Sequence, residues 1–289
     1  MDVLQPRGRR ATRLVVLAAG AAVLLSGCSS EVQRGFLPGY DDGPVTNQTD
    51  RITSLWTGSW IAALAVGLIT WGLIIWSVIV YRKRKDDDTL PVQTRYHVPL
   101  EIMYVVLPIF MVGGLYFFTA RDMSEIQDTS ATPDVTIEVI GQRWSWTFNY
   151  LDSDVWDAGE HVAEPGSVQL GDPELPTLYL PEGERVELVL ESRDVIHSFW
   201  VPAFLYKKDM IPGRTNTFQI VPERAGMYLG KCAELCGENH AGMLFQVSVV
   251  SPEEYEAHMA DLAASGQTGR LGTELDPHDP NAVVTSEEG

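Results

Sequence analysis

The sequence is short of cysteine: 289 residues hold three, Cys28, Cys232 and Cys236. So few leave no basis for a fold held together by disulfides. Histidine is also scarce, at six, which leaves no room for a large His-rich catalytic domain. Basic charge is missing from the back of the chain. From Arg121 onward there are 10 Lys/Arg against 30 Asp/Glu, a net of −20, while the first 120 residues carry 11 against 9. With −18 overall and no Lys/Arg stripe to neutralise phosphates, nucleic-acid binding is excluded. There is no Gly-rich phosphate loop and no internal repeat. The charge asymmetry implies a membrane-associated front half and an acidic soluble back half able to attract a basic partner.

The front opens with "RGRRATR" and "LVVLAAGAAVLL", a positive stretch followed by an apolar one of secretory-signal length. "LSGC" follows and ends at Cys28. Small residues before a lone cysteine resemble a bacterial lipobox. The expectation is a signal peptide over residues 1–27, cleaved before Cys28, which is then acylated and inserted in membrane lipid. An external segment over 28–54 would follow. Leu55 to Tyr81 has no charged residue over 27 positions. As a helix it is roughly 40 Å long, enough to cross a ~30 Å hydrocarbon layer with tilt. Trp56, Trp60, Trp76 and Tyr81 sit toward its ends, as interfacial aromatics do. "RKRK", Arg82 to Lys85, reads as a cytoplasmic anchor. A second span runs from Val98 to about Ala120, containing Pro99, Pro108 and the Gly113–Gly114 pair. Residues 55–120 thus form a transmembrane helical hairpin with both mature termini outside the cytoplasm. Glu101 is the one ionisable residue of the second span. It either reaches the headgroups or serves a function, since an acid in a membrane helix is costly.

Beyond Arg121 the pattern changes. "DVTIEVIG", "RWSWTFNY", "RVELVLES", "VIHSFWVP", "TNTFQIV" and "MLFQVSVV" are short β-branched and aromatic runs separated by Pro- and Gly-bearing turns. They predict a β-sandwich or small barrel over 121–251. Residues 152–176 read as an acidic insertion with little strand content. The final segment, 252–289, begins with a helix capped by Ser251 with Glu254 three residues on, and is disordered beyond Gly266.

The chemistry concentrates in "YLGKCAELCGENHAGMLF", residues 228–245. Cys232 and Cys236 admit a strained local disulfide, a redox pair, or a zinc site completed by His240 and a distant ligand. The full set, Cys232, Cys236, His240 and Met243, combines two thiolates, an imidazole and a thioether, which suit copper better. His197, in "DVIHSFWVP" 35 residues before Cys232, offers a second imidazole or is simply a core histidine. One ligand from an inner strand and the rest from the loop joining the last two strands is the cupredoxin arrangement. The second thiolate is enough to bridge two metal ions, and two coppers sharing two sulfurs is the economical reading.

"HSFWVP" followed by "KCAELCGENHAGM" closely resembles the C-x-E-x-C-x-x-x-H-x-x-M loop of cytochrome c oxidase subunit II. The hairpin, "HVPLEIMYVVLP", "GQRWSWTFNY" and "KKDMIPGR" fall in that family's order. The resemblance implies an all-β cupredoxin-like Greek-key sandwich preceded by a two-helix transmembrane hairpin, on the outer face of a bacterial plasma membrane. It implies a dinuclear copper centre, CuA, with Cys232 and Cys236 bridging, His197 and His240 each binding one ion, Met243 as weak ligand and Glu234 binding through its carbonyl. The Glu234 side chain would also reach a magnesium ion at the subunit I boundary. Trp144 matches the tryptophan that receives electrons, and Glu101 a glutamate at the mouth of a proton pathway. The implied function is to accept electrons from cytochrome c and pass them to haem in subunit I, where dioxygen is reduced with proton translocation. Implied partners are subunits I and III and cytochrome c or a membrane-bound cytochrome bc-type complex. Ser145 departs from the aromatic that family members often carry there, so part of the cytochrome-facing surface differs.

Other classes fit less well. A copper-delivery protein carries an α/β pattern with its histidine downstream of the cysteines. A quinol-oxidising subunit II lacks the copper ligands, and a nitrous-oxide reductase needs the His-rich domain excluded above. A structural zinc site in a lipoprotein binding module leaves Met243 unexplained.

Overall fold

Long apolar runs become helices, and short β-branched and aromatic runs become strands. The computed structural model describes residues 29–39, 43–83, 90–159, 170–173 and 175–272. The signal-peptide expectation, Cys28, residues 160–169 of the insertion and the tail from 273 lie outside these. A short helix α1 (Ser30–Gln33) precedes two long ones, α2 (Thr49–Val80) and α3 (Val98–Ile126). Both are long and apolar enough to cross a membrane. Both also run beyond their apolar cores: α2 begins six residues before Leu55 and α3 ends six after Ala120. Nothing in these flanking turns breaks a helix, and they pair instead. Asp122, 2% exposed, lies 3.4 Å from Arg51 Nη1 and 2.8 Å from Arg121 Nη2.

Among the described residues ten strands follow: β1 (Val135–Gln142), β2 (Ser145–Tyr150), β3 (Val155–Ala158), β4 (Thr177–Pro181), β5 (Val186–Ser192), β6 (His197–Val201), β7 (Tyr206–Met210), β8 (Asn216–Ile220), β9 (Gly226–Cys232) and β10 (Leu244–Val250). They form two five-stranded sheets, ordered β3-β2-β1-β5-β8 and β4-β10-β9-β6-β7. β1 runs parallel to β5, with Ile137 opposite Leu188, and β10 parallel to β4. Parallel neighbours need crossovers, so the chain passes between sheets, giving a cupredoxin-like Greek-key sandwich. Ile137, Val139, Trp146, Phe148, Leu188 and Leu190 from one sheet meet Phe199, Val201, Phe245 and Val247 from the other. The chain ahead of α2 ties the hairpin to this domain. Thr46 bridges Pro222, and Arg224 donates to the carbonyls of Gly39 and Gly43 at 2.6 and 2.9 Å.

Two expectations need adjustment. Residues 155–158, inside the expected insertion, are strand β3, because Val155 is buried and the segment pairs with β2. Residues 267–272, beyond Gly266, are ordered, held by a bridge from Thr268 to Val155 and an ion pair from Arg270 to Glu138. All six residues of β2 are buried, since the outer face of its sheet is partly roofed by this same segment. The helix expected after Ser251 is present as α4 (Pro252–Ala264), with a complete Ser251–Glu254 capping box.

Candidate metal centre

Two neighbouring strand ends build the site. Phe199 of β6 stands opposite Cys232 of β9, which brings His197 and Cys232 to the same end of the sandwich. Cys232 N–H donates to the Met243 carbonyl at 3.0 Å, and Ala233 N–H to the Ser198 carbonyl at 3.0 Å. These bonds clamp both ends of the β9–β10 loop. Within the loop Gly237 takes φ +127°, where a side chain would be strained, and the chain turns into a 3-10 segment over His240–Gly242.

The side chains converge. Cys232 Sγ lies 3.7 Å from His197 Nδ1, 3.8 Å from Cys236 Sγ and 3.2 Å from the Glu234 carbonyl oxygen. Cys236 Sγ lies 3.5 Å from His240 Nδ1 and 3.7 Å from Met243 Sδ. The ligand atoms of His197, Cys232 and Cys236 all fall within 4.8 Å of one another. Both cysteines are free, and their sulfurs are far beyond the ~2.05 Å of a disulfide, so the disulfide reading fails. Each imidazole faces a different sulfur. The donor set therefore divides into two halves sharing a pair of thiols, which fits a two-copper group and exceeds what one tetrahedral zinc requires.

Burial opposes ionisation of Cys232, but His197 and the backbone of Glu234 and Ser198 outweigh it and bring the thiol down to about 7. Burial, reinforced by Cys232, pushes Cys236 up to about 12. One thiol of the metal-free pair therefore ionises well before the other, and a bound metal would deprotonate both.

Sequence reasoning did not single out Asp194. Its Oδ1 sits 2.8 Å from His197 Nε2, and its Oδ2 accepts from Arg143 N–H at 2.7 Å. Burial opposes its charge, yet His197, Arg143 and Val195 hold the carboxyl down at about 2. Engaging Nε2 leaves Nδ1 of His197 directed at the thiols, the arrangement typical of a metal-binding histidine. An acid three residues before a ligand histidine is the signal that could have revealed it. Gly141 was also missed: a Cβ there would lie 3.2 Å from the His197 ring, so the imidazole rests on bare backbone.

Trp144 stands at the rim, its ring so close to Gly237 that a Cβ there would be 3.1 Å from Cζ2. Glu101 lies far from this centre, at the start of α3, where its carboxylate accepts from His97 N–H at 2.9 Å. That bond caps the helix. Glu234 exposes its side chain while its carbonyl faces Cys232.

Residues 135–250 match the family model described as cytochrome C oxidase subunit II, periplasmic domain. The "probable cytochrome c oxidase subunit 2" of Streptomyces avermitilis is 47% identical over 254 residues, covering 78% of this chain and 79% of that protein. The chain belongs to the cytochrome c oxidase subunit II family. The cytochrome c oxidase subunit 2 of Mycobacterium tuberculosis is 32% identical, covering 96% of this chain and 89% of that one. Among solved structures, the periplasmic domain of subunit II of cytochrome oxidase (CoxB) of Bradyrhizobium japonicum is 28% identical, covering 47% of this chain and 97% of that one, at a TM-score of 0.42. As a subunit II, the chain is part of an oxidoreductase complex, and its His/Cys cluster fits the CuA site of that family.

Proposed function

We propose that this subunit II accepts electrons from a cytochrome on its outer domain and passes them toward haem in subunit I. The observation that carries the reading is the convergence of Cys232, Cys236, His197, His240 and Met243 within a few ångströms at one end of the sandwich. Cys232 and Cys236 would bridge two coppers, His197 and His240 would each hold one, and Met243 and the Glu234 carbonyl would complete the set. Such a centre, when bound, supplies a one-electron store whose charge change is spread over two metals and two thiolates.

The residues of the chain do the rest. Trp144 lies against the ligand loop from outside, where an incoming cytochrome can reach it. Asp194 holds His197 in the tautomer that leaves Nδ1 for metal. The Phe199, Phe245 and Trp146 rings beneath the site, with Phe199 and Phe245 stacked at 5.0 Å, keep water from the buried thiols. The acidic surface beyond residue 121 steers a basic cytochrome, free or tethered in a cytochrome bc-type complex. The exposed Glu234 carboxylate is available for a magnesium ion shared with subunit I. Glu101, near the far end of the hairpin, would stand at the mouth of a proton pathway. Cys28 would carry the lipid anchor, and subunits I and III would cover the hairpin.

The test is electron paramagnetic resonance with copper quantitation on residues 129–272 loaded with copper. A seven-line copper signal at two coppers per chain is expected. A four-line signal from one copper, or a silent spectrum with one tightly held zinc, would overturn the reading.

A further inference from the structure

The segment after α4 has no part in the copper reading, yet Gln267–Gly272 is fastened to the domain by side-chain and backbone bonds along its length. Gln267 Nε2 donates to the Trp156 carbonyl at 3.2 Å, Trp156 N–H donates back to the Gln267 carbonyl at 3.1 Å, and Thr268 bridges Val155. Asn149 grips Leu271 with both ends of its amide: Nδ2 donates to the carbonyl at 3.0 Å, and Oδ1 accepts its N–H at 2.9 Å. Arg270 forks onto Glu138, a carboxylate only 1% exposed in mid-strand β1, with Nε at 2.7 Å from Oε2.

From there the contacts lead toward the metal centre. Arg193 Nη2 donates to the Leu271 carbonyl at 3.2 Å, and its Nη1 to Gln142 Oε1 at 3.1 Å. Gly272, at φ +91°, lies against the same guanidinium, so closely that a Cβ would occupy its place. Arg193 N–H bonds the Gly141 carbonyl at 3.1 Å. Gly141 is the floor of the His197 ring, Gln142 is two residues before Trp144, and Asp194 is the acceptor for both His197 and Arg143. One arginine thus touches the 267–272 strap on one side and, on the other, the loops that seat a metal-binding histidine and the rim tryptophan.

We infer that Gln267–Gly272 is a brace, and that Arg193 is the positioning residue through which it holds the 141–144 and 192–197 loops, and with them Trp144 and His197, in fixed relation. The inference goes beyond the copper reading in assigning a role to the strap, and rests on that reading only for the identity of what is positioned. A sandwich stabilised by its core alone would leave these two loops free to open separately. Arg193 forms two of the bonds that close them together, one from its backbone N–H to Gly141 and one from its guanidinium to Gln142, and its guanidinium adds a third to Leu271 of the strap.

The experiment uses the full chain in detergent, with and without added copper, as wild type, Arg193→Ala, Arg193→Lys, Arg270→Ala and Leu262→Ala. The last truncates a buried side chain of α4, a helix that packs on β3 and β4, and so controls for simple destabilisation. Amide hydrogen exchange read by mass spectrometry is the first readout. Arg193→Ala and Arg270→Ala should speed exchange over 141–146 and 192–198 about tenfold, the loss of one charged hydrogen bond in an opening equilibrium. Leu262→Ala should not do so, and Arg193→Lys should fall between. Copper content and the splitting of the copper signal are the second readout: two coppers are retained, but the splitting shifts in the two alanine variants alone. Unchanged exchange in both loops, or the same acceleration in Leu262→Ala, would overturn the brace. A wild type that takes up no copper would sink the copper reading, while the exchange data would still decide whether the brace exists.

Discussion

Gly230 tests how little room lies under the metal centre. It is buried in β9, opposite Phe245, and an added Cβ would fall 2.2 Å from Cε2 and Cζ of that ring. Carbon atoms pack at about 3.5–4.0 Å, so in Gly230→Ala the ring must withdraw by roughly 1.3 Å or more. It has nowhere to go. Phe245 is fully buried, stacked on Phe199 at 5.0 Å and set against Trp146 at 4.7 Å and Phe148 at 5.9 Å. Overpacking of this kind costs about 1–3 kcal/mol, and with three aromatic neighbours the upper part of the range, about 2–3 kcal/mol, applies. For a domain of this size that lowers Tm by roughly 6–12 °C. Urea unfolding of residues 129–272 should show the midpoint fall with an unchanged slope, since the surface exposed on unfolding is nearly the same. Phe245→Leu should restore part of the loss in the Gly230→Ala background while being destabilising alone, a coupling of at least about 1 kcal/mol in the double-mutant cycle. A loss below about 0.5 kcal/mol, or strict additivity, would show that the ring can yield and that this core is looser than described. Because Cys232 is two residues along β9, the copper signal of the variant should broaden as well.

Asp194→Ala should weaken copper binding about 10–100-fold, because His197 loses the acceptor that orients it; competition with a chelator reads this, and unchanged affinity would remove Asp194 from the site. Met243→Leu nearly conserves volume at a fully buried position, so stability should change by less than about 1.5 kcal/mol while the reduction potential of the copper-loaded domain rises; an unmoved potential would mean Met243 is no ligand. His258 stacks on Tyr179 with centroids 3.6 Å apart, and burial, partly offset by Asp261, holds its pKa below the ordinary 6.5. The unfolded chain therefore binds the proton first, so this contribution to stability is complete above pH 6.5 and is lost as the pH falls from there through the lower folded value. The stability gap between wild type and His258→Gln should narrow from pH 7.5 to 5.5 in urea titrations, and a gap independent of pH would contradict the assignment.

Much of this protein could be read from local pattern. Long apolar runs of spanning length set α2 and α3, and short β-branched and aromatic runs set β1, β2, β5, β6, β8 and β10. The Ser251–Glu254 spacing set the start of α4. The thiols, imidazole and thioether of the loop are adjacent in the chain, so most of the metal centre follows from one stretch of sequence. His197 could be read from the sequence only as a second imidazole or a core histidine, and strand pairing, Phe199 opposite Cys232, carries it across 35 residues to the thiols. Strands β3, β4, β7 and β9 were less plain, because acidic, lysine-rich or glycine-bearing segments have weak strand preference and become strands when a neighbour offers a free edge. The strap beyond Gly266 was beyond reach in principle. Its residues are polar and carry no period, and what orders them is a buried glutamate, an asparagine and an arginine more than 75 residues earlier in the chain. Sequence determined which atoms are available to hold metal and which segments are long and apolar enough to cross a membrane. Tertiary structure alone decided which distant backbone and charged groups hold those atoms still, because that depends on partners brought together only by folding.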